Sequence, residues 1–183
     1  MARASAWQGR DGFTLLEVVV ALAIITVAAM AAMRTLTSSS ALGQTGGETS
    51  SAYHAARRVL ERIKAEPFGD VFKRYNETGL DDGPPGSAPG AHFAVNGLDA
   101  TPDDPDGFVG RVILPSDPGN PSVLREDLDD HDLGTPFDVN LDGFTDGLDH
   151  ALDYDLLPIV VRIDWRGSAG VRTVRLATIL TSP

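Results

Sequence analysis

The sequence predicts an α+β chain in which one long N-terminal helix precedes a small antiparallel sheet. An apolar run occupies residues 13–33, and apolar residues then recur at three- and four-residue spacing up to residue 63, which is the spacing of one helix face. Near the other end, apolar and polar residues alternate over residues 159–166, and a second alternating stretch follows a glycine-containing turn. That arrangement predicts a hairpin over 157–181.

The apolar run lies in a predicted segment, residues 13–34, that is long enough to cross a membrane. Residues 13–33 number 21, and at about 1.5 Å per residue they span roughly 31 Å, close to the thickness of a hydrocarbon core. Glu17 is the one charged residue in this run, and Thr14 and Thr26 are its other polar residues. A carboxylate inside a membrane costs about 2.5–3.5 kcal/mol or more, so Glu17 is a candidate functional residue.

A more specific pattern lies at the start of this run. The chain reads Gly-Phe-Thr-Leu-Leu-Glu over residues 12–17, and the apolar run follows without a break. This combination resembles the leader-cleavage and methylation motif of type IV pilins and type II secretion pseudopilins. An ordinary secretory signal peptide and a plain N-terminal anchor are the alternative interpretations of the same residues.

The resemblance implies a series of processing steps at the N-terminus. Residues 1–12 would be a prepilin leader, which a prepilin peptidase would cut between Gly12 and Phe13 on the cytoplasmic side of the membrane. The new amino group of Phe13 would be N-methylated, and Glu17 would neutralise that group on a neighbouring subunit of a filament. Pairing two opposite charges that are buried among apolar helices offsets the cost of burying each of them.

Two leader residues, Arg3 and Arg10, favour a cytoplasmic N-terminus. The chain would then cross the inner membrane once, with its globular domain in the periplasm, and would enter a filament when assembled. The resemblance implies as partners other pilin or pseudopilin subunits through the N-terminal helix, the prepilin peptidase and methylase, the inner-membrane assembly platform, and membrane lipid. In contrast to many major pilins, no helix-kinking proline lies in or just after the span.

Residues 35–66 are predicted to extend the helix beyond the membrane. The first part contains poor helix formers, with serines at 38–40 and glycines at 43, 46 and 47. The second part is amphipathic, and its apolar face consists of Ala52, Ala56, Val59, Leu60 and Ile63. Pro67 is expected to end the helix, because proline disfavours helical conformation in the residue before it.

The predicted globular domain, residues 67–183, carries a strongly acidic segment. The chain has a net charge of −11 and no cysteine, so disulfide bridges, thiolate metal sites and thiol nucleophiles are excluded. Between residues 81 and 155 there are 18 acidic residues and two arginines, a net charge of −16. Such a segment repels nucleic acid and attracts cations, so no nucleic-acid partner is predicted. Residues 76–155 are predicted to form a loop-rich insertion before the hairpin.

Residues 138–149 carry a pattern that predicts a calcium site. Oxygen-bearing side chains stand at positions 1, 3, 5, 9 and 12 of this segment, glycine stands at position 6, and position 7 would offer its carbonyl. The predicted ligands of one structural Ca2+ are Asp138, Asn140, Asp142, Phe144, Asp146 and Asp149. The pattern resembles dockerin-type calcium loops and leaves room for a following helix over about 149–156. The alternative is an acidic surface loop that binds no ion.

The histidines do not indicate catalysis. None of them stands in a zinc-protease or zinc-finger spacing or accompanies a nucleophile motif: His54, His92, His131 and His150. His131 and His150 lie among carboxylates in the sequence and are expected to be solvated surface imidazoles. We therefore expect no enzymatic activity.

Together these patterns favour a pilin-like α+β fold whose long N-terminal helix, half of it in the membrane, packs on a small antiparallel sheet. The expected function is that of a minor pilin or pseudopilin, which helps to initiate or cap a type IV pilus or a type II secretion pseudopilus. A second hypothesis is a membrane-anchored, calcium-dependent adhesion or binding module that uses a pilin-type export signal. An exposed ligand site in the acidic insertion would favour the second hypothesis.

Overall fold

The computed structural model describes residues 14–183, apart from Pro85 and Ala169. The elements follow in the order α1 (Leu15–Lys64), α2 (Phe68–Tyr75), β1 (His92–Phe93), β2 (Gly110–Ile113), β3 (Ser116–Asp117), β4 (Asn120–Leu124), β5 (Leu156–Gly167) and β6 (Gly170–Thr181). The chain divides into two compact units, Met1–Gly43 and Gln44–Pro183. The predicted cleavage site at Gly12 and Phe13 lies outside the described residues.

Helix α1 is continuous over 50 residues. The serines and glycines at 38–47 do not interrupt it, although their helix propensities are low. Within the second unit, four residues of the predicted apolar face are buried in the core, Ala52, Ala56, Leu60 and Ile63, and Val59 packs at its margin. Ala55 is buried beside them. This part of the helix therefore draws its stability from packing, which compensates for the weak local propensity before it.

Four antiparallel strands form the main sheet, in the order β1-β2-β5-β6. β5 and β6 pair along their full length, from Leu156 opposite Thr181 to Gly167 opposite Gly170. They form a hairpin in the segment where the alternating pattern predicts one, and Gly167 and Gly170 are the pair nearest the turn. The inner face of β5 is fully buried and consists of Leu157, Ile159, Val161, Ile163 and Trp165.

The other edge of the sheet contains a close contact between a ring and the backbone. β1 pairs with β2 so that Phe93 lies opposite Gly110. The Phe93 ring covers Gly110 at the place where a Cβ atom would stand. Glycine at position 110 therefore lets an aromatic ring lie directly across the strand.

The acidic segment is built into the core. It supplies β1 and β2 to the main sheet, and β3 and β4 pair as a separate two-stranded sheet. Leu124 and Val139 from this segment are fully buried. Arg125 joins the strand-proximal Asp117 to Asp127 through ion pairs of 2.7 and 2.6 Å. Much of the predicted loop-rich insertion over 76–155 is thus anchored by apolar and ionic contacts.

Two features differ from the expectations drawn from the sequence. Helix α2 follows Pro67 directly and buries Val71, Phe72 and Tyr75, whereas no helix is expected after that proline. Proline is compatible with a helix start for two reasons. Its fixed φ, here −57°, is close to the helical value, and it has no backbone N–H that would need a partner. The expected helix over about 149–156 is wrong, since residues 151–153 form a turn and β5 begins at Leu156.

Candidate functional site

The first part of α1 presents large apolar side chains on all sides. Its exposed residues are Leu15, Leu16, Val18, Val19, Val20, Leu22, Ile24, Ile25, Val27, Met30 and Met33. The hydroxyl of Thr26 donates to the Leu22 carbonyl at 2.8 Å, so the polar group is satisfied within the helix. This stretch of α1 is long and apolar enough to cross a membrane, in which every backbone and hydroxyl donor must find an internal partner.

Glu17 lies in the first turn of α1. Its backbone N–H donates to Thr14 Oγ1 at 3.2 Å, so the Thr14 side chain caps the helix. A carboxylate in the first turn also interacts favourably with the positive end of the helix dipole. Within residues 14–183 as described, the Glu17 carboxylate is exposed and makes no ion pair. Its charge therefore faces whatever surrounds the apolar helix.

Residues 138–149 form a tight loop in which carboxylate oxygens accept hydrogen bonds from the loop's own backbone. Asp138 Oδ2 accepts the Gly143 N–H at 2.9 Å, and Asp142 Oδ1 accepts the Phe144 N–H at 2.8 Å. Gly143 has a φ of 91°, a left-handed conformation that glycine adopts without strain. The glycine at loop position 6 is therefore required by the sharp turn, as the sequence pattern implies.

One buried carboxylate oxygen of the loop has no hydrogen-bond partner. Asp138 Oδ1 is buried and unpaired, although Oδ2 of the same side chain is bonded to Gly143. Leaving a buried acceptor unsatisfied normally costs about 1–3 kcal/mol. An oxygen in this state at loop position 1 fits a ligand of a hard cation such as calcium, which takes six to eight oxygen ligands.

The other predicted ligands differ in their hydrogen bonds and exposure. Asp149 Oδ1 accepts the N–H groups of Leu124 at 3.1 Å and Ala151 at 3.0 Å, so this carboxylate is engaged with backbone. The Phe144 side chain is 74% exposed, and only its carbonyl was predicted to bind. Asn140 accepts the Asp142 N–H at 3.2 Å. The structure thus forms the loop turn, and the side-chain oxygens of Asn140 and Asp149 accept backbone hydrogen bonds.

Glu126 connects this loop to the core. It is 1% exposed, and its Oε1 accepts the N–H groups of Val139 at 2.6 Å and Asn140 at 3.2 Å. Oε2 accepts the Asp146 N–H at the longer distance of 3.4 Å. A buried carboxylate that receives several backbone hydrogen bonds is well suited to fix a loop that has few apolar contacts of its own.

His150 lies at the centre of the carboxylates around the loop. Its Nε2 is 3.2 Å from Asp146 Oδ1 and 3.7 Å from Glu126 Oε2, and its Nδ1 is 3.2 Å from Asp153 Oδ1. Burial lowers the pKa of His150, but the hydrogen bond to Asp146 and the charges of Glu126 and Asp153 outweigh it, and the net pKa is raised. The expectation of a solvated imidazole is wrong for His150, which is 4% exposed; His131 is exposed as expected.

Comparison with known families bears on the N-terminal segment. A family model described as the prokaryotic N-terminal methylation motif matches residues 7–33. No curated protein and no solved structure matches the chain. The chain carries a prepilin-type methylation motif. This motif supports a type IV pilin-like or pseudopilin family, and it implies processing by a prepilin peptidase and assembly with other pilin subunits.

The methylation motif overlaps the apolar part of α1 from residue 15 to residue 33. Their combination supports membrane anchoring through a single N-terminal helix. The helix followed by an antiparallel sheet gives the pilin-like chain the α+β architecture that the sequence predicts.

Two residues of the acidic site were not identified from the sequence. Glu126 precedes the loop by 12 positions and belongs to no calcium-loop template. His150 directly follows position 12 of the loop, but its neighbours in the sequence gave no indication that it is buried. The contacts of both residues depend on the path of the chain between β4 and β5, which no local pattern specifies.

Proposed function

We propose that the chain is a minor pilin or pseudopilin, a structural subunit that initiates or caps a type IV pilus or a type II secretion pseudopilus. The observation that carries the proposal is the methylation motif at the head of an apolar helix with exposed side chains. The leader would be cut between Gly12 and Phe13, and Phe13 would then be N-methylated. The N-terminus would face the cytoplasm and the second unit the periplasm, where no catalytic role is proposed.

The first experiment tests processing. The full chain is expressed with and without a prepilin peptidase, and the N-terminus is determined by mass spectrometry. We expect loss of residues 1–12 and one added methyl group on Phe13 only when the peptidase is present. An unchanged N-terminus in the presence of an active peptidase, verified on a known substrate, would contradict the pilin proposal.

The second experiment tests assembly through Glu17. In a filament, the Glu17 carboxylate would pair with the methylated amino group of a neighbouring subunit, while the apolar sides of α1 pack together. Glu17→Gln is expected to be processed normally but lost from sheared filaments or isolated pseudopili. Thr26→Ala is the matched control, because it removes an uncharged polar group from the same stretch. Equal incorporation of both variants into filaments would contradict a role of Glu17 in assembly.

Calcium binding by residues 138–149 is part of the proposal. It is supported by the buried, unpaired Asp138 Oδ1 and by the turn at Gly143. Asp138, Asn140, Asp142, Asp146 and Asp149, with the carbonyl of Phe144, would then hold one structural Ca2+ ion. Its chemistry would be electrostatic, since a divalent cation offsets the repulsion among these carboxylates.

Thermal unfolding of the full chain in detergent tests the calcium site. Calcium is expected to raise the unfolding temperature of the wild type relative to chelator, and Asp138→Asn and Asp142→Asn are expected to abolish the shift. Asp129→Asn is the matched control, because Asp129 is an exposed carboxylate of the same acidic segment outside the loop. A wild type that shows no calcium-dependent shift would refute the metal claim.

An adhesion or binding module with a pilin-type export signal is the second candidate. Four large apolar side chains in and just after the loop are exposed, and these are Leu141, Phe144, Leu148 and Leu152. Where exposed apolar side chains form one contiguous patch, that patch marks a contact surface. If Phe144→Ser and Leu148→Ser leave filament assembly intact but abolish attachment of cells to a surface, the adhesion function is favoured.

A further inference from the structure

We propose that Glu126, Asp146 and His150 bind a divalent transition-metal ion of the zinc class, at a site that shares only Asp146 with the proposed calcium loop and differs from it in ligand chemistry. One ligand atom from each of the three side chains lies within 4.8 Å of the others. The site belongs to the second unit and does not depend on whether the chain assembles into a filament.

The distances between the ligand atoms suit such an ion. His150 Nε2 lies 3.2 Å from Asp146 Oδ1 and 3.7 Å from Glu126 Oε2. Around a tetrahedral zinc ion with bonds of about 2.0–2.2 Å, neighbouring ligand atoms are roughly 3.4 Å apart. The three side chains therefore need only small adjustments to bind one ion, and the fourth ligand would come from solvent.

Asp153 supports the proposal from the far side of the imidazole ring. Its Oδ1 lies 3.2 Å from His150 Nδ1. A histidine ligand usually donates its second ring N–H to a carboxylate, which fixes the tautomer and presents the other nitrogen to the metal. Asp153 is therefore a positioning residue, and it leaves Nε2 to face Glu126 and Asp146.

Burial and charge give an independent reason for a cation. Glu126 and His150 are buried, with 1% and 4% of their surface exposed. In the described part of the chain, carboxylate oxygens of Glu126, Asp146 and Asp153 lie 3.2–3.7 Å from the His150 ring nitrogens, and these three residues form no ion pair with a lysine or arginine. Buried carboxylates normally require a cationic partner or a metal. A neutral His150 ligand together with a divalent ion satisfies that requirement.

The donor set also determines which ion is preferred. Imidazole nitrogen with two carboxylates suits zinc, cobalt or manganese, whereas calcium prefers an all-oxygen shell. Asp146 is also position 9 of the proposed calcium loop. If both ions bind, they compete for this carboxylate, so zinc is expected to weaken calcium binding and calcium to weaken zinc binding.

Equilibrium dialysis of the full chain in detergent against Zn2+ and, separately, against Ca2+ tests the proposal. We expect one Zn2+ per wild-type chain, loss of that ion in His150→Gln, and affinity about 10- to 100-fold weaker in Asp153→Asn. His131→Gln is the matched control, because it removes an exposed histidine from the same acidic segment. Asp138→Asn is expected to keep zinc and to lose calcium, whereas a wild type that binds zinc but not calcium would preserve this site while rejecting the calcium loop.

A second measurement guards against misfolding of the His150 variant. In the wild type, Zn2+ is expected to shift the imidazole NMR signals of His150 and to leave those of His131 unchanged. No zinc binding by the wild type, equal binding by His150→Gln, or zinc-induced shifts at His131 alone would overturn the proposal.

Discussion

Helix α1 contains two stretches that share one backbone conformation but have opposite surroundings. In the first, from Leu15 to about residue 36, the apolar side chains are exposed around the whole helix. In the second, residues 52–63 bury a single face in the core of the second unit. The difference teaches that apolar content alone does not indicate burial. The spacing of apolar residues shows whether a helix has one partner face or is surrounded by apolar material.

The largest expected difference in stability is between alanine substitutions of one isoleucine in each stretch. Ile63 is fully buried, whereas Ile24 is 64% exposed. We expect Ile63→Ala to destabilise the second unit by about 2–5 kcal/mol because it leaves a cavity. Ile24→Ala is expected to change its stability by less than about 0.5 kcal/mol. Both stability changes are measured by denaturant unfolding in detergent, with Trp165 fluorescence as the signal in a Trp7→Phe background. Similar losses of stability in the two variants would contradict the difference between the two stretches of α1.

A hydrogen bond that only the packed region can make gives the next effect. The Tyr154 hydroxyl donates to the Phe68 carbonyl at 2.6 Å and accepts the Phe72 N–H at 3.4 Å. Tyr154→Phe leaves both groups without this partner and is expected to cost about 1–3 kcal/mol. Tyr53→Phe is the control, since Tyr53 is an exposed tyrosine on α1. The same denaturant experiment applies, and equal stability of the two variants would contradict the assignment.

Substitution of the glycines at the start of the second unit is expected to raise stability, in contrast to the two preceding substitutions. A Cβ added at Gly46 or Gly47 meets nothing within 4 Å, so alanine introduces no clash. Each substitution is expected to stabilise the helix by about 0.5–1 kcal/mol, because glycine loses more backbone entropy on folding. Slower hydrogen exchange of the amides near residues 44–50 would report this effect. Unchanged or faster exchange would show that the helix there is not limited by glycine.

Acid sensitivity should give the smallest effect and should be confined to the second unit. The hydrogen bond from Arg125, followed by the N–H of Gly119, lowers the pKa of Asp117. Because the folded pKa lies below the unfolded value of about 3.9, Asp117 stabilises the fold above that pH. That stabilisation is lost as the pH falls through the folded pKa. Asp117→Asn should therefore flatten the decline of unfolding temperature on acidification, whereas an unchanged pH profile would exclude this contribution.

Local patterns predicted the elements in which apolar residues recur at a regular spacing. The face from Ala52 to Ile63 and the alternation along β5 were readable because side-chain direction follows directly from spacing. Helix α2 is not among the predicted elements, because a proline at position 67 indicates the end of a helix. Phe68, Val71, Phe72 and Tyr75 nevertheless stand at helical spacing.

The candidate metal site was predicted only in part, for a different reason. The turn at Gly143 follows from the calcium-loop pattern, so the backbone of the loop was predictable. The contacts of Glu126 with Val139 and of His150 with Glu126 join residues that lie far apart in sequence. Those contacts depend on how the acidic segment folds back on β4, and neither composition nor spacing encodes that path.

The Phe93 ring that lies over Gly110 has a consequence for the way related sequences should differ. The two positions face each other across β1 and β2, and the ring occupies the space of any side chain at 110. A relative with alanine or a larger residue at 110 must therefore carry a smaller or differently directed residue at 93. We expect these two sites to change together in an alignment, as a coupled pair, even where the surrounding acidic loops diverge freely.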